Sequence, residues 1–236
     1  TFDTIGCEIP TDKESLMEAG RKFKEYGDEY YPIVFDGGYS RMLLTVYYLE
    51  SVYGRPWVED GELQYSEKEV AEALTFITEL EGHVIPTLAV TNGDMVDSTD
   101  KNPKWIDGKY AGVYSWDNTI IKMEDAIQES VNVPNQELVV GDFLKFGDYQ
   151  GGFTKVSMAF AIPATCENPE AAATLINYLL NDPEGVELCG LERGVPLSEA
   201  GANHVMEKGL GDPRVLEANK AVLNYSRWIP SLIPAI

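Results

Sequence analysis

The sequence is poor in basic residues and has no long apolar run. Its 18 lysine and arginine residues stand against 39 aspartate and glutamate residues, which gives a formal net charge of −21. Such a charge repels phosphate backbones and anionic lipid, so we expect neither nucleic acid nor a membrane surface as a partner. No uninterrupted apolar stretch approaches the length of a membrane-spanning helix. Neutral or cationic small ligands remain compatible with this charge.

Cysteine and histidine are also scarce. Cys7, Cys166 and Cys189 are an odd number without tight spacing, a pattern typical of small buried side chains. A Cys166–Cys189 bridge is the alternative. His83 and His204 are spaced too far from the cysteines to form a metal-binding pattern. The sequence therefore predicts no metal site and no cofactor.

Motifs of the common catalytic classes are absent. The sequence has no Gly-x-Ser-x-Gly elbow, no phosphate-binding loop and no His-Glu-x-x-His pair. A glycoside hydrolase needs only two carboxylates about 5 to 9.5 Å apart, and among so many acidic residues the sequence points to no particular pair. Asp94, Asp97 and Asp100 form an oxygen-rich loop that lacks the glycine and closing glutamate of an EF-hand. A solvated loop is therefore favoured over a calcium site.

Helix starts are the clearest local signals. Thr11 with Glu14, and Ser66 with Glu69, have the spacing of a capping box. Asparagine or aspartate before a proline begins three further predicted helices, at 169–180, 183–189 and 213–224. Helices are also predicted over 39–52 and 118–128, and a short one from residue 198.

Short apolar segments predict the strands. They lie at 31–35, 109–115, 138–140 and 156–162. Because these strands alternate with helices, the sequence predicts an α/β arrangement around a largely parallel sheet. The helix after Ser66 is predicted to bury one stripe, made of Val70, Leu74, Ile77 and Leu80. The last long helix is predicted to direct inward Val215, Leu216, Asn219, Val222 and Leu223.

The segment 161–197 carries four features in a fixed order. An apolar stretch with a loop is followed by a helix after Asn168, a second helix after Asp182 and a Gly-Val-Pro turn at 194–196. This order resembles the C-terminal half of bacterial extracellular solute-binding proteins of the sugar-binding group, the relatives of maltose-binding protein. Those proteins carry a strand, an NPEAA helix, an ND-E helix and an RGVP turn. The stretches DGKYAGVYSWDN at 107–118 and TDKESLMEAGRKF at 11–23 resemble the same family.

The resemblance implies an α/β fold of the periplasmic-binding-protein type II kind, with the second lobe plus the trailing part of the first lobe. It assigns residues 1–150 to the main part of the second lobe and 151–198 to a trailing segment of the first lobe. Residues 199–236 would be helices that return to the second lobe, with hinge crossings near 151–154 and 194–198. Family members begin with an exported leader and about one small domain of first-lobe sequence. We therefore expect these residues to be a fragment.

The strongest candidate site lies at 114–118. Sugar recognition needs aromatic faces for the C–H side of the pyranose and planar polar groups for its hydroxyls. Tyr114, Trp116 and Asp117 supply both at a strand-to-helix edge, where ligands bind in open α/β sheets. Composition alone favours core packing for Trp116. The resemblance instead implies ligand contact, because the family carries a ligand-stacking tryptophan at the matching place.

Two further loops carry candidates. Gly38 and Tyr39 follow the strand at 31–35, where glycine admits a ligand to the backbone and tyrosine stacks or donates a hydrogen bond. An ordinary tight turn is the alternative there. Gly152 and Phe153 lie at the implied lobe crossing, where backbone groups would face the cleft. Hinge geometry alone is the other interpretation of that pair.

Arg193 and Trp228 complete the set of candidates. Arg193 is a planar donor fork beside the Gly-Val-Pro turn, suited either to a ligand or to a salt bridge between elements. Trp228 follows the last long helix and is suited either to the rim of a cleft or to core packing.

These features predict a non-enzymatic, extracytoplasmic solute-binding protein of an ABC importer, which holds a mono- or oligosaccharide between two lobes. The expected partners are a carbohydrate ligand and the permease subunits, with membrane contact only through a lipid anchor outside these residues. One alternative is a glycoside hydrolase with an aromatic cleft. Another is a binding protein for a cationic or peptide ligand.

An apolar helix face leads to a separate expectation. In the family, side chains at the positions of Leu175, Ile176, Leu179, Val186 and Leu188 pack against a first-lobe sheet. Each large aliphatic side chain left in water forfeits roughly 1.5–3 kcal/mol. We therefore expect this face either to be poorly ordered or to be covered by a second copy, in which case the fragment self-associates.

Overall fold

The computed structural model describes residues 1–35, 38–88, 90, 98–128, 130–134, 136–142, 144–147, 153–154, 159–191, 193–225 and 227–228. The chain divides into two compact units, Thr1–Gly152 and Phe153–Ile236. Each unit is described by itself. The assignment of residues to lobes stays a prediction.

The first unit mixes helices with short strands. Its helices are α1 (Phe2–Ile5), α2 (Lys13–Tyr26), α3 (Gly38–Tyr53), α4 (Glu67–Leu80), α5 (Pro103–Ile106) and α6 (Ile120–Gln128). Its strands are β1 (Val34–Phe35), β2 (Val58–Glu59), β3 (Glu62–Leu63) and β4 (Val113–Tyr114). Single 3₁₀ turns precede α5 and α6, at Thr99–Lys101 and Asp117–Thr119. Strands β1 and β4 pair in parallel, whereas β2 and β3 form an antiparallel hairpin.

Capping explains where the long helices begin. The capping box predicted at Ser66 and Glu69 is confirmed at the start of α4. The box predicted at Thr11 is wrong by one residue, because Asp12 is the N-cap of α2. The Asp12 carboxylate accepts a hydrogen bond from the Ser15 N–H at 2.8 Å, and Ser15 Oγ accepts one from the Asp12 N–H at 3.0 Å. Aspartate and serine therefore satisfy the free amides at this end.

The core of the first unit joins the paired strands to α5 and α6. One cluster contains Tyr31, Val34, Trp105, Tyr110, Met123 and Ile127. Trp105 is almost completely buried, and its indole N–H donates to the Met123 carbonyl at 2.9 Å. A polar group buried this deeply needs such a partner. Trp105 is therefore a core aromatic residue of the first unit.

The buried stripe of α4 differs from the predicted one. Its buried members are Ala73, Phe76, Ile77 and Leu80. Leu74 was predicted to be buried and is 53% exposed, whereas Val70 is half-buried. The buried stripe is shifted by one position around the helix relative to the predicted stripe, because Phe76 stacks on Tyr48 of α3 with ring centroids 4.4 Å apart. That contact orients the helix toward α3.

The second unit is mainly helical. It contains β5 (Phe153–Thr154), α7 (Pro169–Asn181), α8 (Pro183–Cys189), α9 (Glu199–Lys208), α10 (Pro213–Tyr225) and β6 (Arg227–Trp228). Strands β5 and β6 pair in parallel. The predicted starts of α7, α8, α9 and α10 are confirmed.

One strand prediction fails, a second is tested only over its last four residues, and Leu223 joins Leu74 as a residue predicted to be buried that is exposed. Residues 138–140 are described and form no strand, and the Leu138 N–H donates instead to the Glu124 carboxylate at 3.1 Å. Of the strand predicted at 156–162, residues 156–158 lie outside the described residues and 159–162 are irregular. Leu223 is 54% exposed although it was predicted to point inward, whereas Val215 is fully buried as expected.

The apolar face of α7 and α8 is partly exposed. Leu175 is 56% and Leu188 is 73% exposed, while Ile176 and Leu179 are half-buried. Val186 does not belong to this face. It is buried, because α8 packs back onto α7 through the adjacent Gly185.

Three findings bear on the predicted classes. Among the described helices, none combines the length and hydrophobicity that a membrane crossing requires. All three cysteines are free. Within the described part of the chain, no group of acidic, histidine or cysteine side chains is arranged to hold a metal ion; Asp94 and Asp97 lie outside the described residues.

Candidate functional site

The parallel pairing of β1 and β4 defines one edge of the first unit. In the register, Val34 lies beside Val113 and Phe35 beside Tyr114. The carboxyl ends of both strands therefore point to the same edge, which is where ligands bind in open α/β sheets. Helix α3 begins at Gly38, shortly after β1. After β4, the chain continues into the 3₁₀ turn that precedes α6. Asp36 and Gly37 lie outside the described residues.

Tyr39 and Trp116 meet at this edge. Their rings stack with centroids 6.1 Å apart and an interplanar angle of 26°. Tyr39 is 40% exposed and Trp116 is half-buried. Two candidates 77 residues apart in the sequence thus form one aromatic surface open to solvent.

The backbone after Trp116 is held by a compact turn. The Trp116 carbonyl accepts hydrogen bonds from the Thr119 N–H at 3.0 Å and the Thr119 hydroxyl at 2.7 Å. Asp117 Oδ1 accepts from the Asn118 N–H at 2.8 Å. Asp117 and Asn118, both half-buried, therefore follow the tryptophan directly in this turn.

A second aromatic contact joins the ends of the two strands. Phe35 meets Tyr114 edge to face, with centroids 6.1 Å apart, and the guanidinium of Arg41 lies 5.4 Å from the centre of the Phe35 ring. Arg41 is paired with Glu81. Burial raises the pKa of Tyr114, and the neighbouring Tyr47 raises it further, so this phenol stays neutral.

The sequence interpretation missed Phe35 and Arg41 as parts of this edge. The signal for Phe35 was its place as the last residue of an apolar strand before a glycine-containing loop. The signal for Arg41 was its spacing two residues after Tyr39, inside the first turn of the helix that follows.

The remaining candidates are dispersed or only partly described. Gly152 lies outside the described residues. Phe153 and Trp228 lie on the paired strands β5 and β6, where Thr154 is the register partner of Trp228. Arg193 is exposed and, among the described residues, no carboxylate pairs with it. The first unit thus brings Tyr39, Tyr114, Trp116 and Asp117 to one edge, and these three second-unit candidates stay predictions.

The chemistry of the edge suits a hydroxyl-rich ligand. An aromatic ring packs against the C–H face of a pyranose, while carboxylate and amide groups bond to neighbouring hydroxyls.

Solved structures similar to this chain are solute-binding proteins. A periplasmic solute-binding protein from Pectobacterium atrosepticum matches 98% of this chain with 26% identity and a TM-score of 0.81. A periplasmic oligogalacturonide-binding protein from Yersinia enterocolitica, solved with saturated digalacturonic acid, matches 93% with 30% identity and a TM-score of 0.79. A family 1 extracellular solute-binding protein from Alicyclobacillus acidocaldarius matches 99% with 17% identity and a TM-score of 0.64, which bears on the fold alone.

These comparisons confirm the predicted fold class. The chain spans 58%, 55% and 57% of the three proteins, so it corresponds to little more than half of each. Designed esterases are also among the similar structures, with TM-scores of 0.68 and 0.70. No protein-family model matches the sequence, and no curated protein matches it.

Proposed function

Because this chain belongs to the periplasmic and extracellular solute-binding proteins, we propose that it is part of the ligand-capture component of an ABC importer and that its ligand is a mono- or oligosaccharide. The extracytoplasmic localisation predicted from the sequence agrees with that of these proteins. The protein binds its ligand without changing it chemically.

One observation carries the proposal. The stacked pair of Tyr39 and Trp116 lies at the carboxyl ends of two parallel strands, and Asp117 follows Trp116 in the sequence. A buried aromatic pair without neighbouring polar groups would be ordinary core packing. Here Tyr39 is 40% exposed, and a carboxylate and an amide follow the tryptophan directly, so the surface combines the two group types that a sugar requires.

The comparisons support the same ligand class. The Yersinia protein is an oligogalacturonide-binding protein solved with a disaccharide, and its identity to this chain is 30%. In the proposed mechanism, two lobes close around the saccharide and the closed form is presented to the permease. The proposed hinge crossings lie near 151–154 and 194–198.

An esterase or a glycoside hydrolase is the second candidate, since designed esterases resemble the chain in structure. Against it, the sequence contains none of the common nucleophile motifs. Under our proposal, prolonged incubation with oligosaccharides and with p-nitrophenyl esters releases no product.

The test uses the intact protein, with whatever sequence precedes and follows these residues in its reading frame. Thermal shift and calorimetry are run against neutral saccharides, uronic acids, polyamines and short peptides, and product release is measured in parallel. Saccharide binding without turnover supports the proposal. Binding confined to polyamines or peptides contradicts it, as does turnover that disappears when one carboxylate is replaced.

A further inference from the structure

We propose that residues 144–147 form an anchor that connects ligand binding at the Tyr39–Trp116 pair to the proposed lobe crossing, and that Tyr47 of α3 is the positioning residue of this connection. This inference rests on the proposed function and deepens it. The anchor lies a few residues before the crossing proposed near 151–154. Each of its four residues contacts a helix or the segment that begins one.

The backbone of the anchor is held from two sides. The Tyr47 hydroxyl donates a hydrogen bond to the Leu144 carbonyl, although the two residues are 97 positions apart in the sequence. The Lys145 N–H donates to the Thr11 carbonyl at 2.9 Å, just before α2. Tyr47 is only 2% exposed, and a hydrogen bond shielded from water in this way is stronger than one at the surface. These two bonds fix the anchor to α3 and to the start of α2.

The side chain of Phe146 packs against three aromatic rings of α3 and α4. Its ring centroid lies 5.6 Å from that of Tyr47, 5.4 Å from that of Tyr48 and 5.1 Å from that of Phe76. Aromatic rings at such distances attract one another beyond the effect of burial alone. The anchor is thus seated on both helices.

Gly147 brings the end of the anchor directly against α3. A Cβ atom at this position would lie 2.2 Å from the Ser51 carbonyl oxygen and 3.3 Å from the Val52 Cα. Both of these atoms belong to the backbone of the helix and cannot rotate away. Glycine therefore permits an approach that a larger residue would prevent.

Helix α3 also carries one half of the candidate site. Tyr39 lies in its first turn, and Tyr47 follows about 12 Å further along the axis, since a helix rises about 1.5 Å per residue. The two tyrosines belong to one continuous helix of 16 residues. A rigid element of this kind carries a displacement of one end to the other. A ligand that shifts the first turn of α3 therefore also shifts the contacts of the anchor.

Tyr47 interacts with the strand that leads to the other half of the site as well. Burial raises the pKa of Tyr114, and the nearby Tyr47 phenol raises it further. Tyr114 belongs to β4 and precedes Trp116 by two residues. Tyr47 thus interacts both with the strand before Trp116 and with the backbone of the anchor.

The experiment measures two quantities on the intact protein. Calorimetry gives the affinity for digalacturonic acid, for its neutral counterpart α-1,4-galactobiose and for a panel of other neutral oligosaccharides. Hydrogen exchange followed by mass spectrometry compares the protein with and without the saccharide that binds most tightly. In the parent protein, we expect that saccharide to slow exchange both at residues 116–119 and at residues 144–147.

Tyr47→Phe removes the hydroxyl and keeps the ring. We expect it to weaken saccharide binding by about three- to thirtyfold, the range found for residues that disturb coupling without touching the ligand. It should also abolish the slowing of exchange at residues 144–147, while the slowing at residues 116–119 remains. A loss of stability alone would not produce this difference between the two segments.

Tyr48→Phe is the matched control. The Tyr48 ring also contacts Phe146, but within the described part of the chain its hydroxyl forms no hydrogen bond with the anchor. Gly147→Ala should act like Tyr47→Phe, because the added methyl group forces the anchor away from α3. Gly141→Ala is its control, since the nearest atom would lie at an ordinary 3.7 Å. Both controls should keep the affinity and the exchange pattern of the parent protein.

The outcomes separate this inference from the proposed function. An affinity that is unchanged in Tyr47→Phe, or lowered equally in Tyr48→Phe, overturns the connection and leaves saccharide binding intact. A parent protein that binds saccharide without any change of exchange at residues 144–147 overturns it too. The Tyr47→Phe result decides if Gly147→Ala does not fold. If no saccharide in the panel binds the parent protein, the proposed function fails, and the role of the anchor fails with it.

Discussion

At the scale of single residues, Trp116 is held in position by contacts of its backbone and of its side chain. Two hydrogen bonds from Thr119 hold its carbonyl, and the Tyr39 ring stacks on its side chain. An aromatic ring held in this way loses little conformational entropy when a ligand binds. This is the property expected of an anchoring residue.

We expect Trp116→Ala to weaken saccharide binding to the intact protein by on the order of 2 kcal/mol or more, or about thirtyfold, because an aromatic anchor is lost. Titration calorimetry measures the change. Tyr26→Ala is the control, since Tyr26 is 52% exposed on α2 and packs on Tyr30. An unchanged affinity for the tryptophan variant would refute the assignment of this ring to the ligand.

At the scale of elements, the start of α4 is joined to the preceding loop by one carboxylate. Glu69 accepts a hydrogen bond from the Ser66 N–H at 2.7 Å and from Arg55 Nη2 at 2.5 Å. These bonds, with that from Arg55 the largest cause, lower the pKa of Glu69 from 4.5 to about 2. The carboxylate thus links the start of α4 to Arg55, which lies between α3 and β2.

The lowered pKa sets a pH window. A group whose pKa is lower in the folded state stabilises the fold fully above its unfolded pKa, and this contribution is lost as the pH falls toward the folded value. We expect Glu69→Gln to lower the melting temperature by a few degrees at pH 7 and to flatten the loss of stability between about pH 4.5 and 2. Calorimetric melts across this range provide the measurement.

Glu67→Gln is the matched control. Glu67 also lies in the first turn of α4 and is exposed, so it shares the helix dipole without the contacts of Glu69. If both variants behave alike, the specific hydrogen bonds of Glu69 contribute nothing beyond the dipole.

The packing of α8 on α7 depends on a glycine. A Cβ atom at Gly185 would lie 2.1 Å from the Tyr178 carbonyl oxygen and 3.1 Å from the Leu179 Cα. Both contacts are with backbone, which cannot rotate away as a side chain can. This approach buries Val186 at the start of the short helix.

We therefore expect Gly185→Ala to destabilise the second unit, by about 1–3 kcal/mol, as is typical of overpacking at a tight contact. Chemical denaturation followed by circular dichroism measures the effect. Gly141→Ala serves as the comparison, because its Cβ would meet its nearest atom, Ile9 Cγ2, at an ordinary 3.7 Å. If the two variants have the same free energy of unfolding, α8 shifts to make room for the added methyl group without loss of stability, and the expectation is wrong.

At the scale of the whole molecule, acidic charge and exposed apolar surface act in opposite directions. The net charge of −21 keeps copies apart, whereas Leu175 and Leu188 on α7 and α8 leave aliphatic surface in water. Salt screens the charge but strengthens or preserves apolar contact. The balance therefore shifts toward association as ionic strength rises.

We expect residues 1–236 alone to self-associate in 0.5 M salt, and Leu175→Ser with Leu188→Ser to shift them toward monomer without lowering the melting temperature. Light scattering after size exclusion measures the mass. Val186→Ala is the contrasting variant, because its loss of a buried side chain lowers stability and leaves this face unchanged. A monomeric parent chain at high salt would contradict the expectation.

The sequence by itself determined the helix ends. The capping box at Ser66 and the aspartate–proline start at Asp182 were read correctly, because a cap is made between residues two or three positions apart. Capping chemistry is local, and no distant residue has to be known. The same reason explains the one-residue error at Thr11, where aspartate and threonine compete for the same role.

The tertiary structure decided the features that depend on residues far apart in the sequence, which local sequence patterns do not contain. The exposed side of α4 follows from its stacking on α3, so Leu74 could not be placed from helical spacing alone. The family resemblance marked Trp116 and the loop chemistry marked Tyr39, but their contact depends on the parallel pairing of β1 with β4. These strands are separated by 77 residues of chain. A pairing at that distance is decided by the packing of everything between them, and that packing made the two rings one surface.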